Sequence, residues 1–576
     1  MASRITTFLI VLIVTGTLVA GLIVGAQRDA ADGPVDLIIT NGKVYTAKDG
    51  AFAEAVAVRG NKILRVGSNR EIKRLRRPQT VTLDAHGATV LPGFNDSHIH
   101  LLSGGLSLSH LDLLEVTTLD GIQTAIRDYA EAHPERPWIR GRGWYYEPFA
   151  GGLPTRQQLD LLVPDRPAYL TAYDGHTGWA NSKALAAAGI TRRTPNPKNG
   201  TIVKDARTGQ PTGVLKEAAM SLVSKVLPPV THDERLTALR RARDVALAQG
   251  VTSVQNAGGS VDDFALYDEL RKQGELDLRV YNAISAASGL TDAELTKFEA
   301  TRTEFPDDPV LKAGAVKLML DGVVESHTAA MLEPYANRAT KGQLNFTQAE
   351  LDRIVAMLDK RGWQIFIHAI GDRGVRAALD AFEHAAKANP PPARGRRHRI
   401  EHIETIDPAD IARFGALGVI AAQQPYHGSP APNQIDVWKT NLGEPRASRS
   451  WVYNSLLSSG AHIAFGSDWP VVSLDPRLGL HVATTRTSLD GVPEGGWIPT
   501  ERLTLAQAID GYTSAGAWAS FDEQRKGTLE PGMLADIVIL TSDIFEPGAR
   551  LLDSQVALTI FDGRVVFDRE QVGKTE

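Results

Sequence analysis

The chain has 576 residues, a formal net charge of −5 and no cysteine. The lack of cysteine excludes disulfides, thiolate catalysis and cysteine-ligated zinc, and the weakly acidic balance argues against a nucleic-acid partner. Hydrophobic residues make up 43% and charged residues 22% of the chain, as in an ordinary globular protein, and the length predicts one large domain with attachments or two to four domains.

An uncharged apolar segment follows Arg4 and covers residues 5–26. As a helix these 22 residues would span about 33 Å, enough to cross a bilayer, and a signal-peptide core is usually shorter. The small residues Val24-Gly25-Ala26 also suit a cleavage site. We therefore expect residues 1–26 to be a signal peptide or an N-terminal membrane anchor. The rest of the chain would then be periplasmic, or anchored facing outside the cytoplasm, with no other membrane contact.

Short stretches of alternating apolar and polar residues occur at both ends of the remaining chain. DLIITNGKVYT lies near the start, and GMLADIVILTS and VALTIFDGRVVFD lie near the end, with Asn-Gly and Asp-Gly turn signals. We predict that residues 35–87 and 526–572 together form a small β-sandwich domain. Two unrelated edge hairpins are the alternative.

The middle of the chain alternates helical stretches with eight short apolar runs. The runs are TVLPGFNDSHIH, VTSVQNA, LRVYNA, GAVKLML, WQIFIHA, HRIEHI, GVIAAQQ and HIAFGSD. Strands that alternate with helices imply a parallel sheet, and eight of them imply an α/β fold of the (β/α)₈ TIM-barrel class, here over residues 88–525. Residues 102–231 contain no evident barrel strand, which predicts an α/β insertion lobe after the first strand.

Several of these runs end in polar side chains. Because a strand alternates its faces with period two, His98 and His100 point the same way, into the barrel and near its C-terminal face. Later runs add further groups at or near their ends: Lys317, His368, Glu401 with His402, and Asp468. Each alone has an ordinary explanation as a core histidine, a snorkelling lysine or a capping aspartate, but together they predict a metal site.

The chain resembles the amidohydrolase superfamily, and within it amidohydrolase family 3, which includes N-substituted formamide deformylases. The resemblance extends over nearly all of the chain after the apolar segment. It is carried by the motifs LPGFNDSHIHL, DGHTGWANSKAL, GVLKEAA, KLMLDG, IHAIGDRG, HRIEHIE, AFGSDWPV and KGTLEPGMLADIVIL, in this order.

The resemblance implies a ligand set for two divalent metals. His98, His100 and Asp468 fit the first metal, and His368 and His402 fit the second. Lys317, carboxylated by CO₂, fits the bridge between them, because a buried neutral lysine can become an anionic oxygen ligand. Imidazole and carboxylate ligands suit two Zn²⁺ best, with Fe, Mn or Co as alternatives.

Lys317 has a second interpretation. It could pair with Asp321 or Glu325 instead of taking up CO₂, and a mononuclear site would then remain.

The implied activity is hydrolysis of an amide or N-formyl carbon–nitrogen bond in a small molecule by metal-activated hydroxide. Asp468 would be the general acid and base. A deaminase of the same superfamily is one alternative, although the His-x-x-Glu expected there is replaced by His368-Ala-Ile-Gly-Asp372. A non-catalytic exported binding protein that retains the barrel is another. Related proteins are often dimers, so a homodimer is also an expectation.

Further residues are candidates for contact with the substrate. His176, Trp179, Arg373 and His427 are the first group, with packing under the lobe as the alternative for His176 and Trp179. Glu401 is either an anchor for a metal ligand or part of a helix-facing salt bridge. An aromatic set suggests an apolar substituent on the substrate; it comprises Trp144, Tyr145, Tyr146, Trp179, Tyr426 and Trp469.

Overall fold

The computed structural model describes residues 35–114, 116–430 and 432–572. The predicted export segment, residues 1–26, lies outside this part of the chain. Within the described ranges, no helix is both long enough and apolar enough to cross a membrane.

The strands are β1 (Leu37–Thr40), β2 (Lys43–Tyr45), β3 (Phe52–Ala53), β4 (Ala55–Arg59), β5 (Lys62–Gly67), β6 (Val81–Asp84), β7 (Thr89–Pro92), β8 (Phe94–Ile99), β9 (Leu111–Asp112), β10 (Ile139–Trp144), β11 (Ala168–Ala172), β12 (Thr177–Ala180), β13 (Gly200–Lys204), β14 (Pro211–Glu217), β15 (Val251–Gly259), β16 (Arg279–Ala286), β17 (Leu311–Met319), β18 (Gln364–Ala369), β19 (Arg399–His402), β20 (Ile420–Gln423), β21 (Ile463–Phe465), β22 (Ile537–Leu540), β23 (Val556–Phe561) and β24 (Arg564–Asp568).

The helices are α1 (Asn69–Lys73), α2 (Leu101–Ser107), α3 (Leu119–Ala132), α4 (Arg156–Leu162), α5 (Ser182–Ala187), α6 (Ser221–Ser224), α7 (His232–Ala248), α8 (Asp263–Lys272), α9 (Asp292–Glu304), α10 (Gln348–Lys360), α11 (Asp372–Ala388), α12 (Pro408–Leu417), α13 (Pro432–Leu442), α14 (Glu444–Ala447), α15 (Tyr453–Ser458), α16 (Pro476–Thr485), α17 (Leu505–Gly511), α18 (Ser514–Ala519) and α19 (Arg569–Val572).

The predicted TIM barrel is confirmed as an eight-stranded sheet in the order β21-β20-β19-β18-β17-β16-β15-β8, in which the paired strands are parallel. Helices follow the strands, and several begin with a local signal, such as the capping box of Thr231 and Glu234 on α7. The ends of the sheet meet because Asp468 N, after β21, donates to His98 O at 2.6 Å. Gly466 permits this approach, since a Cβ there would lie 2.3 Å from His98 N.

The apolar core lies between the barrel strands and the surrounding helices. Outward-facing strand residues such as Ile99, Val316, Ile367 and Ile400 are buried in this core together with helix residues. The alternate positions on the same strands carry the polar groups, which therefore face the barrel interior.

A strand-rich domain is built from both ends of the described chain. One sheet has the order β5-β4-β1-β6, and a second has the order β24-β23-β22-β7-β2-β3. The two sheets share one apolar core, with Leu37 and Val56 from the first and Val90, Ile537 and Ile560 from the second. The sheets therefore pack face to face, and strands from both chain ends are joined in the second sheet.

The structure corrects the start of the barrel. TVLPGFNDSHIH, predicted as one strand, is divided at Gly93 into β7 and β8. β7 pairs with β2 and β22 in the second sheet of the strand-rich domain, and only β8 belongs to the barrel.

Between β8 and β15 the chain forms a lobe around a mixed sheet of order β13-β14-β12-β11-β10-β9. Its core includes Ile122, Trp144, Leu170 and Trp179. This lobe covers one side of the barrel's C-terminal face, where the polar strand ends converge.

Candidate metal centre

Four imidazoles lie side by side at the C-terminal ends of β8, β18 and β19. The ring centres of His98 and His100 are 5.5 Å apart, those of His98 and His402 4.8 Å, and those of His368 and His402 4.5 Å. His98, His368 and His402 are buried, whereas His100 is partly open to the cavity. The barrel therefore brings together all four histidines that the sequence predicts as metal ligands.

Asp468 lies at the centre of this group. Its Oδ1 is 3.3 Å from His98 Nε2 and 3.1 Å from His100 Nε2. Its Oδ2 is 3.9 Å from His402 Nδ1 and 3.6 Å from His427 Nε2. Two groups of potential metal ligands result, namely His98, His100 and Asp468, and His402, His427 and Asp468.

The second group differs from the predicted one. His427, predicted to contact substrate, comes close to Asp468 from the turn Pro425–Gly428, and its Nδ1 is 3.2 Å from Glu404 Oε1. His368 stays beside His402, but its Nε2 lies 3.3 Å from Gly322 O.

Buried side chains fix the orientation of His98. Its Nδ1 lies 2.5 Å from Glu401 Oε2, and Glu401 Oε1 accepts from Arg399 Nε at 2.5 Å. Both of these partners are fully buried inside the barrel. Glu401 therefore anchors a candidate ligand, and its salt bridge faces the barrel interior rather than a helix.

The backbone is strained at two of the candidate ligands. His402 has φ 76° and Asp468 has φ 62°, a left-handed conformation that non-glycine residues seldom adopt. Such a conformation costs on the order of 1–3 kcal/mol and persists where the surroundings enforce it, which is most often at functional sites.

The pKa shifts of the site's side chains favour the protonation states that bind a metal. Burial lowers the pKa of His100, and it lowers the pKa of His368 and His402 well below the usual value. Burial would raise the pKa of Asp468, but His98 and His100 lower it far below the usual range. Neutral imidazoles around a carboxylate are the protonation states that bind a divalent cation.

Lys317 lies in the same cavity and is 3% exposed. Burial lowers its pKa. Within the described ranges it forms no ion pair; Asp321 instead accepts hydrogen bonds from the backbone NH groups of Ala330, Ile370 and Gly371. Glu325 accepts from Tyr173 Oη at 2.7 Å. The alternative pairing of Lys317 with Asp321 or Glu325 is therefore not formed.

Several polar atoms at the centre lack a hydrogen-bond partner among the described residues: His98 Nε2, His402 Nδ1, His427 Nε2 and Asp468 Oδ1. Buried polar atoms are nearly always paired, so four unpaired atoms that converge on one point indicate a ligand. Imidazole nitrogens and a carboxylate oxygen fit a divalent cation of the zinc type.

Comparison with known proteins identifies the family. The family model described as the amidohydrolase family matches residues 81–567. This chain belongs to the amidohydrolase family. Its fold, its family and the converging His/Asp group together make it a metal-dependent hydrolase.

The relatives extend over almost the whole chain. Protein LONG AFTER FAR-RED 3 of Arabidopsis thaliana is 34% identical over 92% of this chain and 91% of its own. An N-substituted formamide deformylase of Arthrobacter pascens is 26% identical over 93% of this chain and 98% of its own. The crystal structure of an uncharacterized metal-dependent hydrolase from Pyrococcus furiosus is 26% identical, with a TM-score of 0.66 over 87% of this chain and 98% of its own.

The amidohydrolase centre opens into a cavity of about 580 Å³, here called the metal cavity. His176 of the lobe lines this cavity, and its ring centre is 5.8 Å from that of His368. Glu217 Oε2 lies 2.9 Å from His176 Nδ1, while Glu217 Oε1 accepts from Thr328 Oγ1 at 2.6 Å. Burial alone would lower the pKa of His176, but Glu217 raises it to about 9.

The structure corrects two predicted substrate contacts. Trp179 is fully buried in the lobe core, where its Nε1 donates to Thr155 O, so it packs the lobe and does not line the metal cavity. Arg373 is exposed in the first turn of α11, and Asp372 beside it accepts from Leu332 N. Arg373 is not among the residues that line the metal cavity.

The predicted aromatic set is also divided. Tyr145 and Tyr426 line the metal cavity, and Tyr173, which the sequence did not single out, stacks on Tyr145 with ring centres 4.7 Å apart. Trp144 is buried in the lobe core, and Trp469 packs against Gly104. Tyr146 donates to Asp174 at 2.7 Å and lines a neighbouring cavity instead of the metal cavity.

Sequence reasoning missed Glu217 and Glu404, which orient His176 and His427. Glu404 lies in the motif HRIEHIE and Glu217 in GVLKEAA, so family motifs contained both. A carboxylate inside a family motif, without a partner of its own close in sequence, was the signal that could have indicated this orienting role.

Proposed function

We propose that this amidohydrolase cleaves a non-peptide carbon–nitrogen bond, of amide or N-formyl type, in a small molecule. The observation that carries the proposal is the convergence of unpaired imidazole nitrogens on Asp468 at the base of the metal cavity. The relative named as an N-substituted formamide deformylase supports the bond type.

The residues present would hold up to two divalent cations, for which Zn²⁺ is our first choice. His98, His100 and Asp468 would hold one; His402 would hold the other, with His368 and carboxylated Lys317 or with His427. When bound, such a cation supplies Lewis acidity, which lowers the pKa of a water and polarises a carbonyl oxygen.

Asp468 is the residue to which we assign proton transfer. Its carboxylate lies at the centre of the imidazole group and would accept the proton of the attacking water. It would then pass this proton to the leaving nitrogen. His176, whose Nε2 has no hydrogen-bond partner within the described ranges, would hydrogen-bond to the substrate from the cavity wall.

Lys317 would act as a carbamate. Its amine is buried, has a lowered pKa and has no ion-pair partner in the described part of the chain, so the neutral form is accessible. The nitrogen lone pair would add to CO₂ with loss of one proton, which gives an anionic oxygen ligand.

Metal content per chain tests the proposal, with wild type measured beside Lys317→Ala. Two metals in the wild type and about one or none in the variant are expected. One metal in both proteins would make Lys317 structural and the site mononuclear. No metal in either protein, after purification in metal-replete buffer, would contradict a metal-dependent mechanism.

A panel of N-substituted formamides, larger amides and aminopurines then tests the bond type. Turnover of formamides or amides that stops on metal removal is expected. Loss of folding stability alone, without turnover of any compound, would indicate a binding protein, and turnover of aminopurines alone would indicate a deaminase.

We further propose that residues 1–26 direct export. A fusion of these residues to an alkaline phosphatase that is active only after export is expected to be active. Charged residues placed in the middle of the 5–26 segment should abolish that activity, and an active charged variant would contradict the proposal.

A further inference from the structure

A second cavity, of about 870 Å³, lies beside the metal cavity, between the lobe and the loop that follows β17. Glu325 lines both cavities. Glu217, which holds His176 in the metal cavity, forms part of the wall of the second cavity. A substrate whose reacting bond lies near Asp468 would have to pass Glu325 to reach the second cavity.

The second cavity is lined by basic side chains. Lys216 is half-buried on β14, and Arg338 is exposed at the rim. Neither lies within 4 Å of a carboxylate oxygen in the described part of the chain. Lys204 also lines the cavity and donates to the backbone carbonyls of Arg192 and Thr194.

The carboxylates near Lys216 are already engaged. Glu217 uses one oxygen for His176 and the other for Thr328. Asp174 accepts from the backbone NH of His176 and from the hydroxyl of Tyr146. The positive charge of Lys216 therefore stays without a direct counterion.

Two pKa shifts favour an anion in the second cavity. Burial and the charge of Arg338 lower the pKa of Lys216. Burial, with the charges of Glu404 and Asp174, raises the pKa of Glu325, which favours the neutral form of the carboxyl group that lines both cavities.

We propose that the second cavity binds an anionic group of the substrate, a carboxylate or a phosphate, through Lys216 and Arg338. A half-buried cation without a partner gains most from an oxyanion, because charge-assisted hydrogen bonds are stronger than neutral ones. The substrate is then an amide with an anion at its far end. This inference rests on the proposed amide hydrolysis.

The test uses the metal-loaded full chain and N-formyl-ω-amino acids of increasing chain length, each beside its methyl ester and its ω-phosphonate. At one chain length, kcat/KM for the carboxylate should exceed that for the ester by about ten- to a hundredfold. A higher value for the phosphonate than for the carboxylate would support the anion site and identify phosphate as its group.

Lys216→Met should reduce kcat/KM for the anionic compound to that for the ester and leave the ester unchanged, whereas Lys216→Arg should retain the preference. Lys272→Met makes the same change of net charge at an exposed side chain of α8 and should have no effect. If Lys216→Met does not fold, Arg338→Met replaces it in the test, since Arg338 is exposed.

Equal kcat/KM for carboxylate, phosphonate and ester at every length would overturn the anion site and leave the proposed hydrolysis intact. Hydrolysis of none of these amides would instead count against the proposed function. Calorimetry with glutarate and with inorganic phosphate then decides the anion site. Binding by wild type but not by Lys216→Met supports it, and binding by neither overturns it.

Discussion

Lys312 and Lys317 lie on the same buried strand, β17, and are 5% and 3% exposed. Lys312, at the start of the strand, is 2.7 Å from Asp522 Oδ1 and donates to Ser520 O at 2.8 Å. Lys317, near the end, has no such partner among the residues that the structure describes. The same residue type, equally buried, is therefore neutralised at one end of the barrel and left reactive at the other.

This difference distinguishes the paired buried charges, which the fold tolerates, from the unpaired groups, which can take part in a reaction. A buried charge that is paired and hydrogen-bonded is tolerated within the fold, whereas an unpaired one favours its neutral form. The end of the barrel with paired charges joins the strand-rich domain, and the end with unpaired groups holds the metal centre.

The largest expected effect is that of Asp468→Asn at the reactive end. This change removes the proposed proton acceptor and should lower kcat by about 10²- to 10⁴-fold. Steady-state kinetics, with metal content and melting temperature recorded on the same sample, provide the measurement. A kcat within tenfold of wild type would remove Asp468 from proton transfer.

A substitution at the end of the barrel with paired charges should lower the stability of the protein and leave its activity unchanged. Lys312→Met leaves Asp522 buried without its main partner and should lower the free energy of unfolding by about 3 kcal/mol, the lower end for a broken buried pair. Lys526 lies 3.6 Å from Asp522 and partly compensates. Urea unfolding measures this loss.

Lys272→Met is the control for that experiment, because the Lys272 side chain is 75% exposed and Asp268 keeps Arg271 as a partner, so the loss should be less than about 1 kcal/mol. The kcat of folded Lys312→Met should match wild type. A large loss of kcat with unchanged stability would contradict the assignment of the two ends.

A smaller effect is expected for Glu404→Ala, which removes the partner of His427 Nδ1. If His427 is a ligand, metal affinity should fall by about 10- to 100-fold, as is typical when the residue that orients a ligand is removed. Competition with a chelator measures the affinity, and Glu383→Ala, at a side chain of α11 that is 38% exposed, is the control. Unchanged affinity would return His427 to the role of a substrate contact.

The smallest effect concerns pH at the paired end. Burial lowers the pKa of Lys526 to about 8, below its value of about 10.5 in an unfolded chain. Between these two values the unfolded chain binds more protons, so this residue's contribution to stability increases as pH rises from 8 toward 10.5. The melting temperature of wild type relative to Lys526→Met should therefore rise across this range, and a constant difference would contradict the burial argument.

Local patterns predict the barrel strands and the direction of their side chains. Each of the eight apolar runs overlaps one barrel strand, and period-two alternation places His98 and His100 on one face. The division at Gly93 was not predicted, because β7 and β8 are both extended and buried, and it is the pairing with distant strands that separates them.

Contacts between distant segments account for most of what the sequence did not reveal. His176 meets Glu217 because β12 and β14 pair with Thr177 opposite Lys216, a register that no local pattern contains. The same strand carries Trp179 into the lobe core, although only two residues separate it from His176. His427 reaches Asp468 through a turn, whose path depends on packing rather than on periodicity.

The pairing of β7 with β22 places Pro92 opposite Ile537. During synthesis, β7, which leads into His98 and His100, can therefore pair with β22 only after almost the whole chain has left the ribosome. Contacts so distant in sequence form late and slowly. The sheet that holds the strand leading into His98 and His100 is therefore completed only when the C-terminal strand β22 joins it.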